Sequence, residues 1–187
     1  MEQFTTFFHI GFFHILEGYD HLLFLLGLII VTKDFRSLFS VISAFTIAHS
    51  TTLVLSALGI LSLPPVLTES LIALSIVYVG IENVVRSESK NRWIVAGSFG
   101  LIHGAGFSGH LTDILKGMME MGSVFVPLTG FNVGIEAGQI VVILIVFPLM
   151  LLVRKYGKER QIVMEVSRVI AAVGAVLLVF RAFGMNP

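Results

Sequence analysis

The chain contains no cysteine and few charged residues, and both absences exclude functions. Without cysteine among its 187 residues, it forms no disulfides, thiolate metal sites or iron–sulfur clusters, so any bound metal ion must be held by nitrogen and oxygen. Charged residues make up 13%, about half the share in a soluble globular domain. Twelve basic and twelve acidic residues give no net charge, so nucleic acid is not an expected partner. No nucleotide-binding motif is present, which argues against an ATP-driven pump.

Long apolar runs fill most of the chain instead. Hydrophobic residues account for 56% and the mean hydropathy is +0.94, which predicts an all-α, polytopic integral membrane protein. We expect one transmembrane helical domain over residues 1–187. The predicted spans are residues 7–31, 38–61, 65–85, 93–111, 124–153 and 162–183. The first three residues supply no basic region, so a cleavable signal peptide is not expected.

Basic residues cluster in alternate loops and predict the orientation of the spans. The loops after spans one, three and five hold nine of the twelve lysines and arginines. These are Lys33, Arg36, Arg86, Lys90, Arg92, Arg154, Lys155, Lys158 and Arg160. By the positive-inside rule these loops are cytoplasmic, which places both termini outside.

The middle of the first span carries two histidines and two carboxylates, at His14, Glu17, Asp20 and His21. A carboxylate at the centre of a spanning helix costs roughly 2.5–3.5 kcal/mol, so these side chains must face protein, water or a cation. At about 100° per residue, one continuous helix places His14, Glu17 and His21 within about 60° of one another. The pattern predicts a cation-binding face, with Glu17 either binding the ion or orienting an imidazole.

Polar residues in other spans extend this prediction. His49 and His103 lie near the middle of spans two and four, while Asn132, Glu136 and Gln139 recur at i, i+4 and i+7 in span five. Imidazole and carboxylate ligands without thiolate favour nickel, cobalt or zinc over copper(I). A divalent metal ion is therefore the expected substrate.

Some of these residues also have ordinary structural explanations. A lone His49 is equally suited to a hydrogen bond between helices. Glu69 follows two prolines in the first turn of span three, where the helix dipole stabilises a carboxylate. Glu82 is predicted to pair with Arg86 at i+4.

Glycines recur at four-residue spacing in spans four and five. Gly130, Gly134 and Gly138 form two small-xxx-small steps, and Gly100 with Gly104 forms another. This spacing predicts close helix contact, within the chain or in a homo-oligomer.

Five ordered segments resemble the HupE/UreJ family of bacterial membrane proteins. They are HILEGYDHLLFLLGL from His14, FTIAHSTTL from Phe45, ESLIALSIVYVGIEN from Glu69, FGLIHGAGFSG from Phe99 and FNVGIEAGQ from Phe131. The resemblance implies a permease for nickel or cobalt in the bacterial inner membrane, with a link to hydrogenase or urease maturation. It also implies a metal-binding set, namely His14, Asp20, His21, His49, Glu69, His103 and Glu136. We expect supporting roles for Glu17, Ser75, His110, Asn132 and Gln139.

These observations predict a secondary permease in which a divalent ion (Ni²⁺, Co²⁺ or Zn²⁺) enters past Glu69 and His110 to an intramembrane His/Asp/Glu site. One alternative is an intramembrane zinc hydrolase using the same histidines with Asp20 and Ser75 around an activated water. The absence of a tight HxxxH or HExxH ligand pair counts against it. A bis-histidine haem electron carrier is a third hypothesis.

Overall fold

A computed structural model describes residues 2–86, 91–106 and 125–185, and it is all-helical over these ranges. Seven helices lie within the described residues. They are α1 (Glu2–Glu17), α2 (Tyr19–Ile29), α3 (Phe35–Ala57), α4 (Pro65–Val85), α5 (Arg92–Ala105), α6 (Phe125–Lys155) and α7 (Glu159–Ala182).

The first predicted span is two helices rather than one. α1 ends at Glu17, α2 begins at Tyr19, and their axes differ by 69° across Gly18. The prediction of one continuous helix with a single polar stripe is therefore wrong. Helical periodicity gives the angle between residues only while the helix continues, and the break removes that relation between His14 and His21.

Four helices are long and apolar enough to cross a membrane: α3, α4, α6 and α7. The bent pair of α1 and α2 makes a fifth crossing if it is counted as one broken span. α5 has 14 residues up to Ala105, close to the end of that described range. In the part of the chain that it describes, the structure thus shows four or five apolar segments that are able to span a membrane.

Glycines bring three pairs of helices into close contact, as their spacing predicted for α5 and α6. Along α6, Gly130, Gly134 and Gly138 lie against the backbone of Phe4, Phe8 and Phe12 of α1 in the same order, so the two helices run parallel. α3 and α5 are also parallel, because Gly97 faces Ala44 and Gly104 faces His49. α4 and α7 are antiparallel, since Gly80 meets Ser167 and Gly174 meets Ile76.

This close packing predicts that Gly134→Ala destabilises the protein. A Cβ at Gly134 would meet the carbonyl oxygen of Phe8 and lie 2.8 Å from the nitrogen of Phe12, and neither backbone atom can move away cheaply. Overpacking of this kind costs about 1–3 kcal/mol. We expect the melting temperature in detergent to fall by several degrees, at about 2–4 °C per kcal/mol.

Gly97→Ala is the matched control, because its Cβ would find Ala44 at an ordinary contact distance of 3.6 Å. That change gains helix propensity of about 1 kcal/mol without a clash. Equal melting temperatures for the two variants would contradict the close contact of α1 and α6.

Hydrogen bonds fix the loops at one end of the helices. Asp34 caps α3 by accepting from the backbone N–H of Ser37 at 2.8 Å and from its hydroxyl at 2.7 Å. Chiefly the hydroxyl bond, then the backbone bond, lowers the pKa of Asp34 below its usual value. Arg154 donates to the carbonyl of Thr32 at 2.7 Å and pairs with Glu159 at 2.8 Å. The loop after α2 is thereby tied to the turn between α6 and α7.

Glu82 forms a different ion pair from the one predicted. Its carboxylate lies 3.9 Å from Arg92 of α5, and both side chains are buried, whereas Arg86 is exposed. Arg92 also donates to the Asn83 side chain and to the carbonyl of Gly27. The i+4 rule considers one helix alone and misses a partner that arrives from a neighbouring helix.

Candidate metal-ion site

Three histidines from three helices converge in the interior. One ring nitrogen each from His14, His21 and His49 lies within 4.8 Å of the others. His21 and His49 are buried, at 8% and 0% exposure, and His14 is half-buried. The ring centroids are 4.5 Å apart for His14 and His21 and 5.8 Å apart for His21 and His49.

This spacing is close to that of a coordinated ion. With metal–nitrogen bonds of about 2.0–2.1 Å, two nitrogens on one ion are at most about 4.2 Å apart. Ring movements of less than about 1 Å would therefore bring His14, His21 and His49 into a common coordination sphere. In neutral form, imidazoles supply the lone pairs that divalent transition metals accept.

The helix break at Gly18 positions two of the three rings. His14 lies in the last turn of α1, and His21 lies in the first turn of α2. Gly18 between them is packed so closely that a Cβ there would lie 2.6 Å from the His14 carbonyl and 3.0 Å from Nδ1 of His21. The site is thus built around a residue with no side chain.

His103 adds a fourth imidazole next to this group. Its ring centroid is 5.0 Å from that of His21, and Nε2 lies 2.9 Å from the hydroxyl of Ser75 on α4. Ser75 donates to the carbonyl of Ile72 at 2.6 Å. Gly104, the next residue on α5, lets α5 lie close to α3, because a side chain at this position would collide with the backbone of His49.

Phenylalanine rings pack around the histidines. Phe45 lies 5.7 Å from His49 and 5.4 Å from His103 between ring centroids, and Phe24 lies 4.9 Å from His103. Phe131 lies 5.9 Å from His14. Electrostatic interactions are stronger in such an apolar environment than in water.

Asp20 is bound to an arginine. Its Oδ2 accepts a hydrogen bond of 2.7 Å from Arg181 of α7, and the Arg181 side chain is 6% exposed. Arg181 also donates to the Tyr19 hydroxyl at 3.3 Å and to the carbonyl of Glu69 at 3.2 Å. The carboxylate predicted as a metal ligand therefore already holds a cationic partner.

Comparison with protein-family models gives a match to the HupE/UreJ protein family over residues 1–184. The chain belongs to the HupE/UreJ family. This family is associated with nickel and cobalt transport. Neither the curated proteins nor the solved structures gave a match.

The remaining residues of the set implied by the HupE/UreJ resemblance lie apart from the three-histidine group. Glu136 is exposed on α6, and Glu69 is half-buried in the first turns of α4. Glu17, for which a supporting role rather than a place in this set was predicted, is exposed at the end of α1. Their roles in metal binding stay predictions.

Two supporting residues predicted in this HupE/UreJ protein join α6 to α3. Asn132 accepts a hydrogen bond of 2.5 Å from Ser50, and Gln139 accepts one of 2.9 Å from Thr46. Gln139 is buried, at 1% exposure. His110 lies outside the described residues.

A small cavity and a larger groove lie beside the HupE/UreJ histidines. The cavity, of about 10 Å³, reaches His21 and is also lined by Phe45 and Gln139. The groove, of about 410 Å³, runs between α3 and α6 and shares Ile42 and Gln139 with the cavity. Its walls are mainly apolar, and the polar exceptions are Ser43, Thr46, Glu136 and Gln139.

Sequence reasoning missed two features of this HupE/UreJ site, Gly18 and Arg181. Arg181 stands in the apolar run VLLVFRAF of the predicted sixth span. The argument that intramembrane charges need a partner applies to it as well as to Asp20. The sequence signal for Gly18 was its position in the middle of the ionisable residues His14, Glu17, Asp20 and His21.

Proposed function

We propose that this protein is a six-span secondary permease of the bacterial inner membrane that moves Ni²⁺ or Co²⁺ toward the cytoplasm. The observation that carries the proposal is the group of ring nitrogens of His14, His21 and His49, which lie within 4.8 Å of one another inside a helical membrane protein. Intramembrane ionisable residues that converge on one point mark ion pathways.

The directions of the helix pairs support a six-span topology with both termini on the same side of the membrane. If the bent α1–α2 pair and α5 each cross once, alternation makes α1 and α6 parallel, α3 and α5 parallel, and α4 and α7 antiparallel. These are the directions seen in the glycine contacts. Helix packing thus supports the alternation of the spans, and the loop charges separately support the outside position of both termini.

The donor set supports a borderline transition metal. Three imidazoles suit Ni²⁺, Co²⁺ and Zn²⁺ better than Mg²⁺ or Ca²⁺, which prefer oxygen ligands. Since Asp20 is paired with Arg181, the three neutral imidazoles face the ion without a free carboxylate. The resulting modest affinity suits a transporter, because an ion that binds too tightly is not released.

In the proposed mechanism, the ion enters from the outer side past Glu69 and His110 and reaches the histidines. His14, His21 and His49 replace its water ligands, His103 lies beside His21, and Asp20 directly precedes His21 in α2. Inward release requires an opening at the far end of α2, where Gly27 is held by Asn83 at 2.8 Å and by Arg92 at 3.2 Å.

An intramembrane zinc hydrolase is the second candidate, and one observation favours it. Three histidine ligands leave a fourth position for an activated water, as in catalytic zinc sites. The apolar groove between α3 and α6 would admit a lipid-like substrate from the membrane, and Ser75 is held by His103 at 2.9 Å. This reading predicts tightly bound zinc in the purified protein and no ion flux.

Uptake of radioactive nickel into proteoliposomes tests the permease. Wild-type protein should give saturable uptake above protein-free liposomes, and unlabelled Co²⁺ should compete while Mg²⁺ in excess should not. The same preparation should be analysed for bound zinc. Stoichiometric zinc without nickel or cobalt flux would reject the permease and favour the hydrolase.

A further inference from the structure

The buried arginine Arg181 is an unexpected neighbour for a cation site. Its guanidinium interacts electrostatically with His21 and His103 as well as with Asp20. A fixed positive charge in such a position opposes the binding of a second cation. Buried ion pairs add little to stability on average, so stability alone does not account for its presence.

Arg181 contacts three different groups, and this holds it in place. It donates to Asp20 at 2.7 Å, to the Tyr19 hydroxyl at 3.3 Å and to the carbonyl of Glu69 at 3.2 Å, and its guanidinium lies 5.8 Å from the centre of the Tyr19 ring. The planar guanidinium offers five donors in a fixed geometry, which an ammonium group does not. The arginine therefore bridges α7 to the first turns of α2 and α4.

Only one oxygen of the Asp20 carboxylate has a hydrogen-bond partner within the described residues. Oδ2 of Asp20 accepts the bond from Arg181, whereas Oδ1 is buried and has no hydrogen-bond partner among the residues that the structure describes. A buried acceptor in that state is unfavourable until it gains a donor or a cation. Asp20 directly precedes His21, whose ring belongs to the three-histidine group.

We propose that Arg181 limits the affinity of the site by competing with the metal ion for Asp20. This inference rests on the proposed binding of a dication by the histidines. With Arg181 paired to Asp20, the ion meets three neutral imidazoles and no net negative charge. When the ion binds Oδ1 of Asp20, it shares a single negative charge with Arg181 on Oδ2, and the repulsion between the two cations favours release of the ion.

Titration of purified protein with Co²⁺, followed by visible absorption, tests this role together with nickel uptake. Arg181→Gln should bind Co²⁺ at least about tenfold more tightly than wild type, while its maximal uptake rate falls because release is slower. A purely structural arginine would give weaker binding instead. Arg168→Gln is the matched control, because Arg168 is an exposed arginine on α7 that pairs with Glu165.

A double variant identifies the group that causes the gain. In Asp20→Asn with Arg181→Gln, the freed carboxylate is absent, so the dissociation constant should return to within about threefold of wild type. Retention of the full gain in the double variant would overturn the proposal, because Asp20 would then not be the contested ligand.

Arg181→Lys decides the question if Arg181→Gln does not fold. Lysine keeps the charge but cannot contact all three groups at once, so it should release Asp20 more readily and tighten Co²⁺ binding by about threefold. Unchanged or weaker binding would overturn the proposal. Wild type that binds no Co²⁺ or Ni²⁺ would reject the permease itself, whereas wild-type binding that Arg181→Gln fails to tighten would reject only the role of Arg181.

Discussion

Replacing His21 with alanine should abolish nickel uptake. His21 lies at the centre of the four rings, with centroid distances of 4.5 Å to His14, 5.8 Å to His49 and 5.0 Å to His103. Its Nε2 is buried and has no hydrogen-bond partner within the described residues. Loss of a group that merely supports a ligand costs about 10–100-fold in metal affinity, and loss of a ligand should cost at least as much.

His9→Ala is the matched control for this experiment. His9 is an exposed histidine on α1 that contacts the carbonyl of Thr5 at 2.8 Å, and it lies outside the three-histidine group. Uptake by His9→Ala should equal that of wild type. If His21→Ala, shown to be folded by its melting temperature and elution profile, still transports nickel at the wild-type rate, the permease mechanism fails.

Gly18→Ala should reduce nickel uptake and Co²⁺ affinity by at least about tenfold while leaving the protein folded. The new methyl group would lie 2.6 Å from the His14 carbonyl and 3.0 Å from Nδ1 of His21, so the imidazole must move. Alanine also favours helix over glycine by about 1 kcal/mol, which acts to join α1 and α2 into one helix. Both effects disturb the geometry of the histidines rather than their chemistry.

Gly97→Ala controls for the substitution itself, because its Cβ would meet Ala44 at 3.6 Å without a clash. Cobalt absorption spectra would show whether the ligand geometry has changed in Gly18→Ala. Wild-type affinity and uptake in Gly18→Ala would mean that the break is not needed to bring His14 and His21 together.

Composition and periodicity predicted the apolar helices, and the glycine spacing predicted the close contacts of α5 and α6. Both properties depend on sequence within one helix. A glycine allows close approach of a neighbouring helix, whichever part of the chain that helix comes from. The close packing of Gly134 and Gly104 could therefore be predicted without knowing which helix each one contacts. The prediction that these residues lie in close contact is confirmed.

The detailed geometry of the site could not be predicted in the same way. The assumption of one continuous helix correctly predicted that His14 and His21 lie close together. The assumption itself was wrong, because the chain bends by 69° between them. The partner of Asp20 is 161 residues away in sequence, and that of Glu82 comes from α5. Such pairs are set by tertiary packing, which periodicity within one helix does not contain.

The glycine contacts also bear on how the protein could alternate between two conformations. α1 is joined tightly to α6, and α3 is joined tightly to α5, so each pair is suited to move as a rigid unit. His14 belongs to the first unit and His49 to the second. Any sliding of one unit past the other changes the separation of these two imidazoles directly, so the proposed ion coordination would be mechanically coupled to the rearrangement that the proposed transport requires.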